Sequence, residues 1–127
     1  MQFVEKRASS DNYIVLAMVD ASFVEMAINL YEASFQPNKI ENFLFVGVGL
    51  EACQVLWDAS VPCFHYTDTG NENAPSVYGS LDFIRKTNTR AYMILEALGA
   101  GFTVVLLDVD IFLFANPLPD LKVAIDY

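Results

Sequence analysis

The chain has 127 residues, enough for one ordinary domain, and its 54% hydrophobic content with ten Phe and six Tyr readily supplies a packed core. Seven Lys and Arg against sixteen Asp and Glu leave a formal net charge of −9, which argues against nucleic acid or an anionic membrane as a direct partner, because phosphate is held by cations. A mean hydropathy of +0.35 is high for so small a soluble domain and points to a parallel sheet buried on both faces, or to a piece of something larger.

The opening Met1-Gln-Phe-Val-Glu-Lys-Arg7 has no apolar core of a signal peptide, and no apolar run reaches the roughly 18 residues of a spanning helix. Tyr13–Val19 is a continuous apolar run and predicts a first buried strand. Asp20-Ala-Ser22 follows as a turn; Asp20 or Ser22 can cap the next helix, with Glu25 at capping-box spacing from Ser22. Phe23, Met26, Ala27, Leu30, Tyr31 and Ser34 keep the helical period until Gln36-Pro37-Asn38 stops it. Phe43–Val48 predicts a second strand, Leu50–Ala59 a helix with Ala52, Val55, Leu56 and Ala59 on one face, and Val61–Tyr66 a short edge strand started by Pro62. Cys53 and Cys63 lack CxxC spacing and are read as buried free thiols in preference to a bridge.

Residues 67–80 form a polar loop containing Tyr78, long enough to suggest a functional role. Ser80 or Asp82 then starts a long helix to about Leu98, with Phe83, Ile84, Ala91, Ile94, Leu95 and Leu98 as its apolar positions, and Gly99-Ala-Gly101 ends it. A fourth strand from Thr103 carries Asp108 and Asp110, and Lys122–Tyr127 reads as one more strand, interrupted. The alternation of strands and helices means an α/β fold: a Rossmann-like parallel sheet with helices on both faces, in a single domain over 1–127. Such sheets bind ligands at the carboxyl ends of their strands. Asp20, the segment from Tyr66 to Asp68, and the Asp108/Asp110 pair all fall there.

Asp108-Val109-Asp110 is the most informative triplet. Side chains at i and i+2 of a strand share a face, with alpha carbons roughly 7 Å apart. Two carboxylates so placed repel and need a cation, a proton or open solvent. A divalent metal carrying a phosphate ligand uses both, and oxygen ligands suit Mg²⁺ or Mn²⁺. The competing reading is a strand end whose carboxylates cap backbone N–H groups. Lys86 and Arg90 lie four apart on the helix leading into that strand and can meet a diphosphate from the side opposite the metal, or form a solvated face. Asp20 can accept a hydrogen bond from a base or ribose hydroxyl, or serve as a helix cap. His65 is the only His and cannot by itself make a His-based metal cluster. Tyr66 and Tyr78 are read as packing residues, and Gly47-Val-Gly49 as a tight turn. No phosphate-binding glycine loop, Ser/His/Asp order or reactive-Cys context is present.

The run from Arg90 to Pro119 resembles the nucleotide-diphospho-sugar transferase family with a GT-A fold, which includes plant and algal xylosyl- and galactosyltransferases. The matching features are Arg90 on the helix, Gly101-Phe102 after it, the apolar Val104 to Leu107, Asp108-Val-Asp110, the aromatics Phe112 and Phe114, and Asn116-Pro117. The resemblance implies retaining transfer of a sugar from a nucleotide-diphosphate sugar, a UDP-sugar above all, to a glycan or protein acceptor. It implies Mn²⁺ (or Mg²⁺) on Asp110 bridging the diphosphate, Asp108 on the ribose or a metal-bound water, Arg90 as a second cation, and Asp20 near the base. It also implies the Golgi or secretory pathway. Family members continue well past the Asp pair, whereas seventeen residues follow Asp110 here, so the expectation is the donor-binding part, with catalytic residues beyond it. Two other classes also end a strand in acids. A haloacid-dehalogenase-like phosphatase would use Asp108 as nucleophile, but its Asp strand lies early in the chain. A receiver-like signalling domain would use Asp20 and a phosphoacceptor such as Asp68.

Overall fold

The apolar runs seen in the sequence are the spine of the fold. In the computed structural model, which describes residues 2–66 and 78–125 and leaves out the side chains of Asp82, Phe83 and Lys86, they form one four-stranded sheet. The strands are β1 (Tyr13–Val19), β2 (Phe43–Val48), β3 (Cys63–Tyr66) and β4 (Thr103–Leu107). Their spatial order is β3-β2-β1-β4 and every pairing is parallel. β3 is an edge strand, as the proline at its start suggests; Pro62 itself stands just outside the strand and its carbonyl accepts from the Phe45 N–H at 3.2 Å.

Alternate residues of each strand face opposite sides, and both sides are covered. Val15, Ala17 and Val19 of β1 and Phe43 and Phe45 of β2 pack against α2 (Val24–Leu30), through Ala27 and Leu30, and α3 (Leu50–Asp58), through Ala52 and Leu56. Ile14, Leu16, Leu44 and Val46 face the other way, against Val4 of α1 (Gln2–Arg7) and Met93 of α4 (Leu81–Gly99). Fully apolar strands are what a sheet sandwiched between helix layers requires. Helix α1 is too short and charged to stand out in the sequence. Its Arg7 donates through Nε to the Phe43 carbonyl at 3.0 Å and through Nη2 to the Glu41 carbonyl at 2.6 Å, pinning the helix to the start of β2.

Of the two caps the sequence offers, Asp20 is the one used: α2 is entered through a 3₁₀ turn, Ala21–Phe23, capped by Asp20, with no Ser22 capping box. Other expectations need correction. β4 stops at Leu107, so the two acids stand on the turn beyond the strand and not within it. The segment read as a final strand is a helix, α5 (Leu118–Ile125): the Asn116 side chain accepts from the Leu118 N–H at 3.0 Å and caps it. Cys53 and Cys63 are not free thiols but a disulfide, with alpha carbons 5.4 Å apart. Spacing along the chain hid this pair; the fold creates it by laying α3 beside β3. Finally, α4 turns Thr89, Met93 and Ala97 inward, while Ile84, Ala91, Leu95 and Leu98, among its apolar positions in the sequence, are exposed. The polar loop falls largely on residues 67–77, outside the described residues, and Asp68 with it.

Candidate functional site

Strand order fixes where the site lies. From β1 the chain moves to β2 and β3 on one side and returns to β4 on the other. The strand order thus reverses at the neighbours β1 and β4, and parallel sheets bind ligands in the crevice at the carboxyl ends of such a pair. Ala17 stands opposite Leu107 in the ladder, so Asp20 leaves one side of the crevice and Asp108-Val109-Asp110 the other.

The acidic segment is held from beneath. Val109 is buried, and Ile111 and Leu113 pack against the same core layer as α2 and α3. Asp108, Asp110, Phe112 and Phe114 are exposed, so the in–out alternation persists past the end of the strand. Two hydrogen bonds fix the chain beyond the acids: the Leu113 N–H donates to Ser34 Oγ at 2.9 Å, and Asn38 Nδ2 donates to the Leu113 carbonyl at 2.9 Å. Ser34 can reach because α2 runs into a π-turn, Tyr31–Phe35, in which the Gln36 N–H donates to the Tyr31 carbonyl at 3.0 Å. Such widened turns recur at functional sites. Ser34 fits the helical period in the sequence, but nothing local marks it as the anchor of a segment nearly eighty residues away.

The two carboxylates meet different neighbours. Asp108 pairs with the Arg90 guanidinium of α4; the Asp side chain is 61% exposed and the Arg 34%. Arg90 Nε is buried and finds no acceptor among the described residues. Asp110 instead lines a recess of about 440 Å³ between the turn and α2, with Glu25, Met26, Asn29, Val109, Ile111 and Phe112 around it. Glu25 and Asn29 are one helical turn apart, so α2 presents two further oxygen-bearing side chains toward Asp110. The sequence reading treated Glu25 only as a capping residue and passed over Asn29. Helical spacing could have put them on one face, but not that face opposite Asp110.

Asp20 accepts from the Ser22 N–H at 3.1 Å and from Ser22 Oγ at 2.5 Å. It works as a cap in this structure, at the rim of the crevice. Lys86 lies on α4 one turn before Arg90, and its side chain is outside the described residues. His65 and Tyr66 belong to β3, two strands away from the crevice. Among the described residues no three His, Cys, Asp or Glu side chains gather closely enough to cage an ion. A site of the magnesium or manganese kind does not require such a cage, since it commonly takes one or two carboxylates and completes its shell with water and substrate phosphate. Asp110, exposed over an open recess, fits that donor pattern; Asp108 fits it on release from Arg90.

Comparison with known proteins bears on this crevice. The chain is 28% identical over 117 residues to beta-arabinofuranosyltransferase RAY1 of Arabidopsis thaliana, an alignment covering 91% of this chain and 22% of that protein. The chain thus spans about a fifth of that relative's length. No solved structure matches it significantly. The family model of nucleotide-diphospho-sugar transferases matches residues 38–127, a span that takes in β2, β3, α4, β4 and both acids. With its parallel Rossmann-like sheet and most of its length covered by that match, the chain belongs to the nucleotide-diphospho-sugar transferase family.

Proposed function

We propose that this chain binds the nucleotide-diphosphate sugar, a UDP-sugar by preference, in a glycosyltransferase that passes the sugar to a glycan or protein acceptor. The observation that carries the reading is Asp108-Val109-Asp110 at the topological switch point of a sheet belonging to this family. It favours sugar transfer over the phosphatase and receiver-like alternatives.

Asp110, with Asp108, would hold Mn²⁺ or Mg²⁺. When bound, the ion supplies Lewis-acid neutralisation of the diphosphate leaving group. The chain's own residues set the field around it. With a net charge of −9 the surface repels a diphosphate, so cations near the crevice matter more than in a neutral protein. Arg90 is one: its pair with Asp108 is part-exposed and partly screened by solvent, so the guanidinium could turn to a phosphate oxygen. Val109, Ile111 and the bonds to Ser34 and Asn38 keep the acids in place, so little order need be gained on binding. Asp20, on the β1 side, would meet the nucleoside. Placement in the Golgi or elsewhere in the secretory pathway agrees with the Cys53–Cys63 bridge, which needs an oxidising compartment. No helix among the described residues is long and apolar enough to cross a membrane.

Titration calorimetry with UDP and GDP, each with and without Mn²⁺, tests the reading. UDP should bind only with the metal, and Asp110→Ala should abolish binding. Metal-independent binding, or full affinity in Asp110→Ala, would remove the assignment.

A further inference from the structure

Helix α4 carries a second apolar stripe on the side away from the sheet. Leu81, Ile84, Asn88, Ala91, Leu95 and Leu98 follow one another at alternating spacings of three and four. That is the a/d pattern of a helix that packs along another helix. All six are exposed, with Leu81 at 76%, Leu95 at 68% and Leu98 at 52%. The inward face, Thr89, Met93 and Ala97, is separate and already buried. An amphipathic helix needs one apolar face to dock on its own sheet, and the described residues leave this second face uncovered.

We propose that the seam binds a second copy of this chain, as an antiparallel helix pair about a two-fold axis. The order of residues is self-complementary in that arrangement. Leu81 lies opposite the partner's Leu98, Ile84 opposite the partner's Leu95, and Asn88 opposite the partner's Ala91, so each large apolar residue meets another. The central layer suits a symmetric pair in particular. Two Asn88 amides, one from each copy, come together beside the axis, where each can donate to the other's carbonyl oxygen. The small Ala91 leaves room for them. An unrelated apolar helix would bury the amide without a partner, at a cost. Arg85 and Tyr92, both exposed on the same flank, lie near each other across the pair, a cation beside an aromatic face.

Area agrees. Leu81, Ile84, Leu95 and Leu98 with the flanking Tyr92 are about half or more exposed, and their complete cover on two copies would approach the roughly 1,200 Å² at which stable interfaces begin. The seam runs about 25 Å along the helix. The crevice lies at the carboxyl ends of the strands, whereas α4 presents this seam from its outer side, so pairing does not need to cover the acids.

Sedimentation velocity over a concentration series, on the whole chain, tests this. The expected species is twice the 14.2 kDa chain mass. Leu95→Glu should weaken the pair by roughly 100-fold, as removal of a central apolar anchor does, with circular dichroism unchanged. Orientation is read by cross-linking: chains carrying Ile84→Cys mixed with chains carrying Leu95→Cys should form an inter-chain disulfide, and neither variant alone should. Three results would overturn the proposal: a monomer at all concentrations, a dimer indifferent to Leu95→Glu, or cross-links within a single variant.

Discussion

Gly47 shows how closely one residue can be specified by its neighbours. A β-carbon added there would lie 2.6 Å from Cys53 Sγ, 3.2 Å from Cys63 Sγ and 3.3 Å from the Gly49 carbonyl oxygen. The bridge is covalent and cannot swing aside, so Gly47→Ala should destabilise the chain by about 1–3 kcal/mol, the usual range for overpacking. Thermal unfolding checks it. The same substitution in a chain lacking both cysteines should cost clearly less, because the clashing sulfurs are gone; an equal cost in both backgrounds would refute the explanation. Gly49, two residues on, has φ +98° at the entry to α3, where a side chain would be strained. The expectation of a tight turn at this glycine pair holds for Gly49 alone: Gly47 belongs to β2, and nothing local marks the sulfur packed on it. A different residue-scale effect is electrostatic. Lys122 of α5 donates to Asp11 at 2.6 Å, and Ser9 Oγ donates to the same carboxylate at 2.5 Å. These contacts, the lysine first, hold the Asp11 pKa below its ordinary value of 3.8. A carboxylate depressed on folding contributes stability above its unfolded pKa and loses it as the pH falls through the folded one. The tie between α5 and the turn before β1 should therefore persist at pH 5 and fade below about pH 4. Proton-detected titration should place Asp11 below 3.8, and Lys122→Met should raise it.

At the scale of elements, the Cys53–Cys63 bridge joins α3 to the edge strand β3 across a separation of ten residues. β3 is short and half-exposed, and among the described residues it pairs only with β2. A closed loop of this size stabilises a fold by about 2–4 kcal/mol. Cys53→Ala together with Cys63→Ala should lower the denaturant midpoint accordingly, and hydrogen exchange should show β3 opening before β1. Equal protection of the two strands would argue that the bridge adds little. What could be read of the elements follows from their physics. β1 and β2 are unbroken apolar runs and were unambiguous. α5 was taken for a strand because Val123, Ala124 and Ile125 make a run too short to reveal its period. Its signal lay upstream, in Asn116 as a cap and Pro119 in the first turn. The buried face of α4 is hidden for a related reason: period locates a stripe, but a helix with two stripes does not say which one meets the sheet. The acidic pair itself was legible, because carboxylates have few reasons to end an apolar strand. Its pairing with Arg90, and the approach of Glu25 and Asn29 to Asp110, depend on how helices lie over the sheet, which no local pattern encodes.

Taken whole, the molecule combines two features that pull against each other. Many large apolar side chains lie at the surface of the described residues, Phe114 at 92% and Tyr78 at 89% among them. Exposed apolar area on that scale promotes association. Opposing it is the net charge of −9 at pH 7, whose mutual repulsion keeps molecules apart. The repulsion rests on Asp and Glu and is titratable, with an isoelectric point near 4.2; the apolar area is not. As the pH falls from 7, carboxylates protonate, the charge shrinks toward zero and the attraction is left unopposed. The second virial coefficient from light scattering should thus be positive at pH 7 and low salt and turn negative near pH 4. Added salt at pH 7 should reduce it as well, because the Debye length shortens to about 3 Å at 1 M. Phe114→Glu removes apolar area outside the helix seam and adds charge, so it should keep the coefficient positive to lower pH than the parent. If scattering showed no dependence on pH or salt, repulsion would not be what holds the chain in solution, and the exposed side chains would have to be covered in some charge-independent way.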